Sequence, residues 1–450
     1  MVLTGKKRFL VWPIMLLCWI PCYISYFPGI YAYDIPFQHL VYLGQVPWNN
    51  HQPLIHTLFW GLCWGFENLV GYHPAALIMY AVLQMIMLSG LLSYVVLRMY
   101  RFGKAAPLVA FIWYALNPVL VIFSFVTTKD VLFSGLFMVW LMILMDLYSS
   151  KKEIVVRDVI PFVIIGLLAC LLRKNVPYVM LLTAFIFLGL KKTRLFFAIL
   201  ATTAMSVFVT SGIYNWAGVL ASSDAEMLSV PMTQLASVYN DEGAMITDRD
   251  REGIEYYMDP SVFNPRLADP LKISFNTDRY DKDKFRFWKL YLNVLFEEPV
   301  RMINAGLTLD EPYWNPLLPF PDPYAQLRYI ETYISVDTQY KTECAGLLPK
   351  IHRIYDSFAR HDNKFTNSRY TGWLFSLWFP IWFIFGCMII CIIRGRHEFR
   401  CIFIPVFILF ATYLLGPVAN FRYLYTFELV MPIAACAALS REGTTVERYS

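Results

Sequence analysis

Charged side chains are scarce in this chain. Asp, Glu, Lys and Arg make up 16% of its 450 residues, against about 25% in an average soluble domain, and this argues against a soluble enzyme. Neither sign dominates: 38 Lys and Arg against 33 Asp and Glu leave a formal net charge of +5. That is too little and too dispersed for a nucleic-acid surface, so no nucleic acid is expected as a partner. Cysteines outside apolar runs are equally few. Cys18, Cys22, Cys170, Cys387, Cys391, Cys401 and Cys436 lie within such runs, leaving Cys63 and Cys344 as the only disulfide candidates, so the polar part of the chain is not disulfide-stapled. Internal repeats and low-complexity tracts are also missing.

What the chain has is apolar surface, with 58% hydrophobic and 17% aromatic residues. About twenty apolar residues cross a bilayer as a helix, and lipid offers backbone groups no other partner, so only a helix or a closed barrel can span it. The expected fold class is mainly α: a polytopic membrane helical bundle with a mostly helical extracytoplasmic domain. Eight apolar runs fit single spans, at 9–27, 74–97, 105–126, 131–148, 195–214, 372–393, 401–418 and 424–439. Two shorter ones, 159–172 and 176–190, flank Arg173-Lys174-Asn175 and read as a pair turning inside the outer leaflet. The expected total is about ten transmembrane helices. The basic start (Lys6, Lys7, Arg8) resembles a signal peptide, but the apolar run reaches Phe27 without a small-residue cleavage site, so it reads as an uncleaved span.

Basic clusters fall at alternate connections: Lys6 to Arg8, then Arg98, Arg101 and Lys104, then Lys151, Lys152 and Arg157, then Lys191, Lys192 and Arg194, then Arg394, Arg396 and Arg400, then Arg441 and Arg448. Positive residues favour the cytoplasmic side, so the reading is a multi-pass cell-membrane protein with both termini cytoplasmic. Counting Leu54 to Val70 as a span would put the next three clusters outside. With Phe59, Trp60, Trp64, Phe66 and Glu67, it reads instead as an amphipathic helix along the outer interface. The organisation is therefore an N-terminal bundle of seven spans at 1–214 with a first outer loop at 28–73, an extracytoplasmic domain at 215–370, and three C-terminal spans at 371–450. The outer domain reads as mostly helix, with breakers at Glu311-Pro312, Asn315-Pro316 and 319–323.

Four cations break the charge rule at three outer connections: Lys129, Arg173, Lys174 and Arg422. Snorkelling accounts for any one of them. Converging at one boundary, they instead suit a phosphate, and ionisable groups in a bundle are functional candidates by default. Acids stand beside them. Asp34 follows the first span with Gln38 one helical turn on, and Asp130 follows Lys129 at the outer start of the fourth span; helix capping is the alternative role for either. His51, His56 and His73 have spacings that match no helical metal pair, so no metal ligands are assigned.

Taken in order, these segments resemble the GT-C superfamily of integral membrane glycosyltransferases. Tyr33-Asp34 looks like the acid of that family's first outer loop, and His51-Gln52-Pro53-Leu54-Ile55-His56 like its His-Pro-Pro-Leu segment, with Gln52 replacing one proline. Lys129-Asp130-Val131-Leu132-Phe133 looks like the second outer-loop acid. Leu172-Arg173-Lys174-Asn175, Pro231-Met232-Thr233-Gln234, Asp269-Pro270-Leu271-Lys272 and Phe421-Arg422-Tyr423 resemble segments of a bacterial branch of multi-spanning GT-C-like proteins. The resemblance implies inverting transfer of a sugar from a polyprenyl-phosphate-linked donor to an acceptor at the cell envelope: a polymer, a glycolipid or a protein. Asp34 would be the general base and Asp130 the second catalytic acid. Lys129, Arg173, Lys174, Arg422, His51 and Gln38 would bind substrate. No cofactor is assigned, and a divalent ion (Mg or Mn) is left open. The rival readings are a lipid or polysaccharide transporter or flippase, which repeats and mid-span charges would favour, and a non-enzymatic membrane assembly protein, which leaves the outer cations without a purpose.

Overall fold

The computed structural model describes residues 9–32, 34–150, 155–222, 224–318 and 347–440. Tyr33, Cys344, the proline run at 319–323 and the basic residues Lys6 to Arg8, Lys151, Lys152, Arg441 and Arg448 lie outside the described residues. Cys63 is a free, buried thiol. The described residues are mainly helical (75%) and form no strand, only two isolated parallel bridges.

The first half of the chain runs through α1 (Val11–Ser25), α2 (Ile35–Tyr42), α3 (Leu54–Val70), α4 (Ala75–Arg98), α5 (Ala106–Leu116), α6 (Pro118–Phe123), α7 (Lys129–Ser149), α8 (Val156–Leu172), α9 (Val176–Gly189) and α10 (Thr193–Val207). The polar segment contributes α11 (Ser229–Asn240), α12 (Asp248–Tyr257), α13 (Lys284–Glu297), α14 (Pro299–Leu309) and α15 (Pro349–Ala359). The chain then closes on α16 (Phe379–Ile393), α17 (Arg400–Tyr413) and α18 (Phe421–Leu439).

Among the described residues, four helices are long and apolar enough to cross a membrane: Ala75–Phe102, Lys129–Ser149, Thr193–Trp216 and Phe421–Leu439. Others among the ten expected spans are shorter apolar helices: Val11–Ser25, Ala106–Leu116, Val176–Gly189 and Phe379–Ile393. One cause is visible at 105–126. Pro118 has no N–H and disfavours a helical residue before it, so α5 stops at Leu116, and Asn117 caps α6 by accepting from Val119 N at 3.0 Å. The segment 54–70 is one helix of 17 residues, as its pattern predicts.

One continuous core joins α1 and α4–α10 to α16–α18, with Trp19, Trp140, Tyr114 and Tyr425 fully buried in it. α7 is its central helix, buried on most of its surface. α7 carries charge near both ends. At its start lie Lys129 and Asp130; near its end Asp146 takes both Arg98 and Arg101, about 25 Å away at 1.5 Å per residue. The polar segment has a separate core built on Met232, Leu235, Tyr257, Phe287, Val294 and Met302. It is tied back to the bundle by Ala268 N to Pro417 O at 2.8 Å, and by Tyr313, whose hydroxyl donates to Asn420 O at 3.2 Å and accepts from Asn420 N at 2.8 Å.

Candidate functional site

Four helix ends converge at one face of the bundle. Asp34 is the residue before α2, yet its carboxylate makes no capping bond to that helix, which removes capping as its role. Lys129 and Asp130 open α7, where Thr128 takes the cap by accepting from Asp130 N at 3.4 Å. Arg173 ends α8. Arg422 lies in the first turn of α18, whose cap is Asn420 Oδ1, accepting from Arg422 N at 3.0 Å. Capping by Thr128 and Asn420 frees the side chains of Asp130 and Arg422 to turn inward.

Backbone stitching brings the first two ends together. The Thr127 N–H donates to Ile30 O at 3.0 Å, and its hydroxyl donates to the same carbonyl at 3.1 Å while accepting from Ala32 N at 2.7 Å. This fixes the segment after α1 against the segment before α7. α2 is seated on α3 at Gly61, where any Cβ would strike the Tyr42 ring.

The charges then interlock. Asp34 Oδ2 accepts from Lys129 Nζ at 2.6 Å and from Arg422 Nη1 at 3.0 Å. Asp130 Oδ1 meets Arg173 Nη1 at 2.9 Å, and its Oδ2 lies 3.9 Å from Arg422 Nε. Arg422 thus bridges both acids. Lys129 also donates to Gln52 Oε1. Arg173 donates to the Tyr413 hydroxyl at 2.9 Å, and its guanidinium lies 4.5 Å from the ring centre of Tyr413 and 4.8 Å from that of Tyr423. Three cations face two carboxylates, so the cluster holds one positive charge in excess. Burial alone would raise the Asp34 carboxyl, but the charges of Arg422 and then Lys129 outweigh it and hold it well below the ordinary carboxylate range.

Gln38 is fully buried behind this cluster, one turn along α2. His56 sits between it and α4, with Nδ1 2.7 Å from Gln38 Oε1 and Nε2 2.7 Å from the Tyr80 hydroxyl. Donor accounting settles the roles. Tyr80 donates its single proton to Gln84 Oε1 at 2.9 Å, and Gln84 Nε2 donates to the carbonyls of Val126 at 2.8 Å and Ser124 at 3.1 Å. Tyr80 must therefore accept from a His56 Nε2–H. Burial and the Lys129 charge push His56 down to about 3, so the ring is neutral and its Nδ1 is an acceptor. The Gln38 amide then belongs with Nε2 on His56 and Oε1 facing away, at the buried position that has no partner among the described residues. The network links α2, α3 and α4 to the segment that delivers Lys129.

Of the residues singled out in the sequence, Asp34, Lys129, Asp130, Arg173 and Arg422 form this one cluster. His51 and Lys174 lie at its rim. His51 Nδ1 is 3.7 Å from Glu226, which Lys272 holds at 3.0 Å. Burial and the nearby Lys129 lower Lys174 to about 8, and among the described residues it makes no ion pair. The three outer-loop histidines do not gather: His73 bonds Glu67 at 2.9 Å, at the far end of α3. Among the described residues no group of three or more His, Cys, Asp and Glu is placed to hold a metal ion. Tyr413, Glu226 and the role of His56 carried no sequence signal. Tyr423 did, as the neighbour of Arg422.

A family model matches residues 39–449. The chain belongs to a family of unknown function, DUF6020. The match takes in Gln52, Lys129, Asp130, Arg173 and Arg422 and begins after Asp34 and Gln38. No curated protein and no solved structure matches the chain.

Proposed function

We propose that this DUF6020 protein is a multi-pass membrane glycosyltransferase of the GT-C type, with about ten spans, both termini cytoplasmic and the polar segment outside. It takes a sugar from a polyprenyl-phosphate-linked donor and passes it, with inversion, to a hydroxyl of an envelope polymer, glycolipid or protein. The observation that carries the reading is the charge cluster: Lys129, Arg173 and Arg422, from three separate helix ends, set against only Asp34 and Asp130. A fixed excess of positive charge, part-buried and two-thirds Arg, is what a phosphate leaving group needs as its negative charge develops.

Paired with Arg422 and Lys129, Asp34 is too weakly basic to take a proton efficiently. A donor phosphate draws Lys129 and Arg422 toward itself and lifts that restraint, so the base is made only when the donor is present. Lys174, outside any ion pair among the described residues, completes the phosphate side. The polar segment selects the acceptor.

The direct test is transfer of labelled sugar from a polyprenyl-phosphate donor in membranes expressing the protein, compared with an Arg422→Ala variant at matched expression. Transfer that depends on Arg422 supports the reading. Membranes that bind the donor but transport it without transfer would replace the reading with the flippase.

A further inference from the structure

A divalent ion fits the residues of this cluster poorly. Asp34 Oδ2 is shared by Lys129 and Arg422, and both oxygens of Asp130 face guanidinium groups. Mg and Mn sites are built from oxygen ligands and keep several waters about the ion. Three of the four carboxylate oxygens already face cations, and an ion among them would lie within a few ångströms of three positive charges, a repulsion that partial burial strengthens.

We infer that Lys129 is the resident cation of this site: its ammonium occupies the oxygen-lined position between Asp34 and Gln52 that a divalent metal would need, and the site handles an anionic ligand without one. The geometry is specific to Lys129. Its Nζ is held by a carboxylate oxygen at 2.6 Å and by the Gln52 amide oxygen, an acceptor-only pair. The lysine begins a helix whose cap is Thr128, and the parallel bridge between Ile30 and Val126 fixes that helix start against the Asp34 segment. Arg173 and Arg422 lack such a position, because Arg173 is spread over a carboxylate and a tyrosine and Arg422 over two carboxylates and a tyrosine. The inference stands whether or not the anion is a sugar-linked phosphate.

The test is titration of the purified full-length protein with Mn(II) alone, read by electron paramagnetic resonance, with wild type, Asp34→Asn and Lys129→Ala in parallel. Wild type is expected to show no site tighter than the millimolar range that Asp34→Asn removes. Lys129→Ala, which keeps Asp34 and Gln52 and deletes the ammonium, is expected to gain an Asp34-dependent site. A stoichiometric Mn(II) site in wild type that is lost in Asp34→Asn would overturn the inference. So would a folded Lys129→Ala protein as indifferent to Mn(II) as wild type, since Asp34 and Gln52 would then form no cation position. Neither readout involves donor or transfer, so a failed transfer assay leaves this result intact.

Discussion

Arg422 and Asp34 are 388 positions apart in the chain, yet Arg422 Nη1 donates to Asp34 Oδ2 at 3.0 Å. The contact joins the segment after the first helix to the first turn of the last. The core packs between them: Phe123 lies tilted against Phe421 and Tyr425 with ring centres 5.6 Å and 5.5 Å apart, and Tyr114 donates to Leu429 O at 2.7 Å. The pair thus records the closure of the bundle, and its position at the charged face makes that closure a condition of the site.

Arg173 serves stability as well as charge. Its partner Asp130 is almost fully buried, with 1% of its side chain exposed, and deleting one member of a buried pair costs about 3–5 kcal/mol because the other is left uncompensated. Arg173→Ala is expected to lower the unfolding midpoint in detergent markedly. The double variant Arg173→Ala with Asp130→Ala should lose less than the sum of the singles. Strict additivity of the two would show that the pair is not coupled.

Asp310 sets a pH dependence of its own. It ends α14 with 5% exposure, and its Oδ1 has no partner among the described residues. Burial pushes its carboxyl up to about 8. A folded-state value above the unfolded one means that the folded state binds the proton more tightly. This contribution is therefore present at low pH and is lost as pH rises from the unfolded value through about 8. Each unit is about 1.4 kcal/mol at most. Unfolding followed between pH 5 and 8.5 should show wild type weakening with rising pH and Asp310→Asn with a flatter profile; parallel profiles would remove Asp310 as the cause.

The polar segment is expected to face outward. Met245 is 87% exposed there, so a Met245→Cys protein in intact cells should react with a membrane-impermeant maleimide above the level of its parent. Labelling only after the cells are broken would invert the topology and with it the accessibility of the cluster to an external acceptor.

Composition and apolar runs made the helical class legible, and the charge rule made four outer cations stand out before any coordinates. Their partners were less legible. For Asp130 the helix start left capping open as an alternative to a catalytic role; Thr128 takes the cap and leaves Asp130 for Arg173. Asn117-Pro118 lies inside an apolar run that hydropathy counts as continuous, while the backbone chemistry of proline divides it. His56 was readable as part of a family-like segment and as a spacing that fits no metal pair; its neutral, bridging role depends on Tyr80 and Gln84, which arrive from another helix. Tyr413 reaches Arg173 from 240 positions away, a relation that no local pattern carries.

Asp34→Asn separates chemistry from architecture. The amide keeps the size of the carboxylate and can still accept from Lys129 and Arg422, but it cannot take a proton from an acceptor hydroxyl. Since Asp34 does not cap α2, no helix end is lost with it. Removing one negative charge also leaves the cluster more positive, so binding of a polyprenyl phosphate in detergent should be kept or tightened. Transfer of labelled sugar should fall by at least the 10²-fold at the lower end of what a general base contributes, about 10²–10⁴. An ion pair with only a structural role predicts the opposite pattern, a lower unfolding midpoint with transfer per folded molecule near normal. Near-normal transfer by Asp34→Asn would remove Asp34 as the base, and the cluster would then be a phosphate-binding site whose chemistry lies elsewhere.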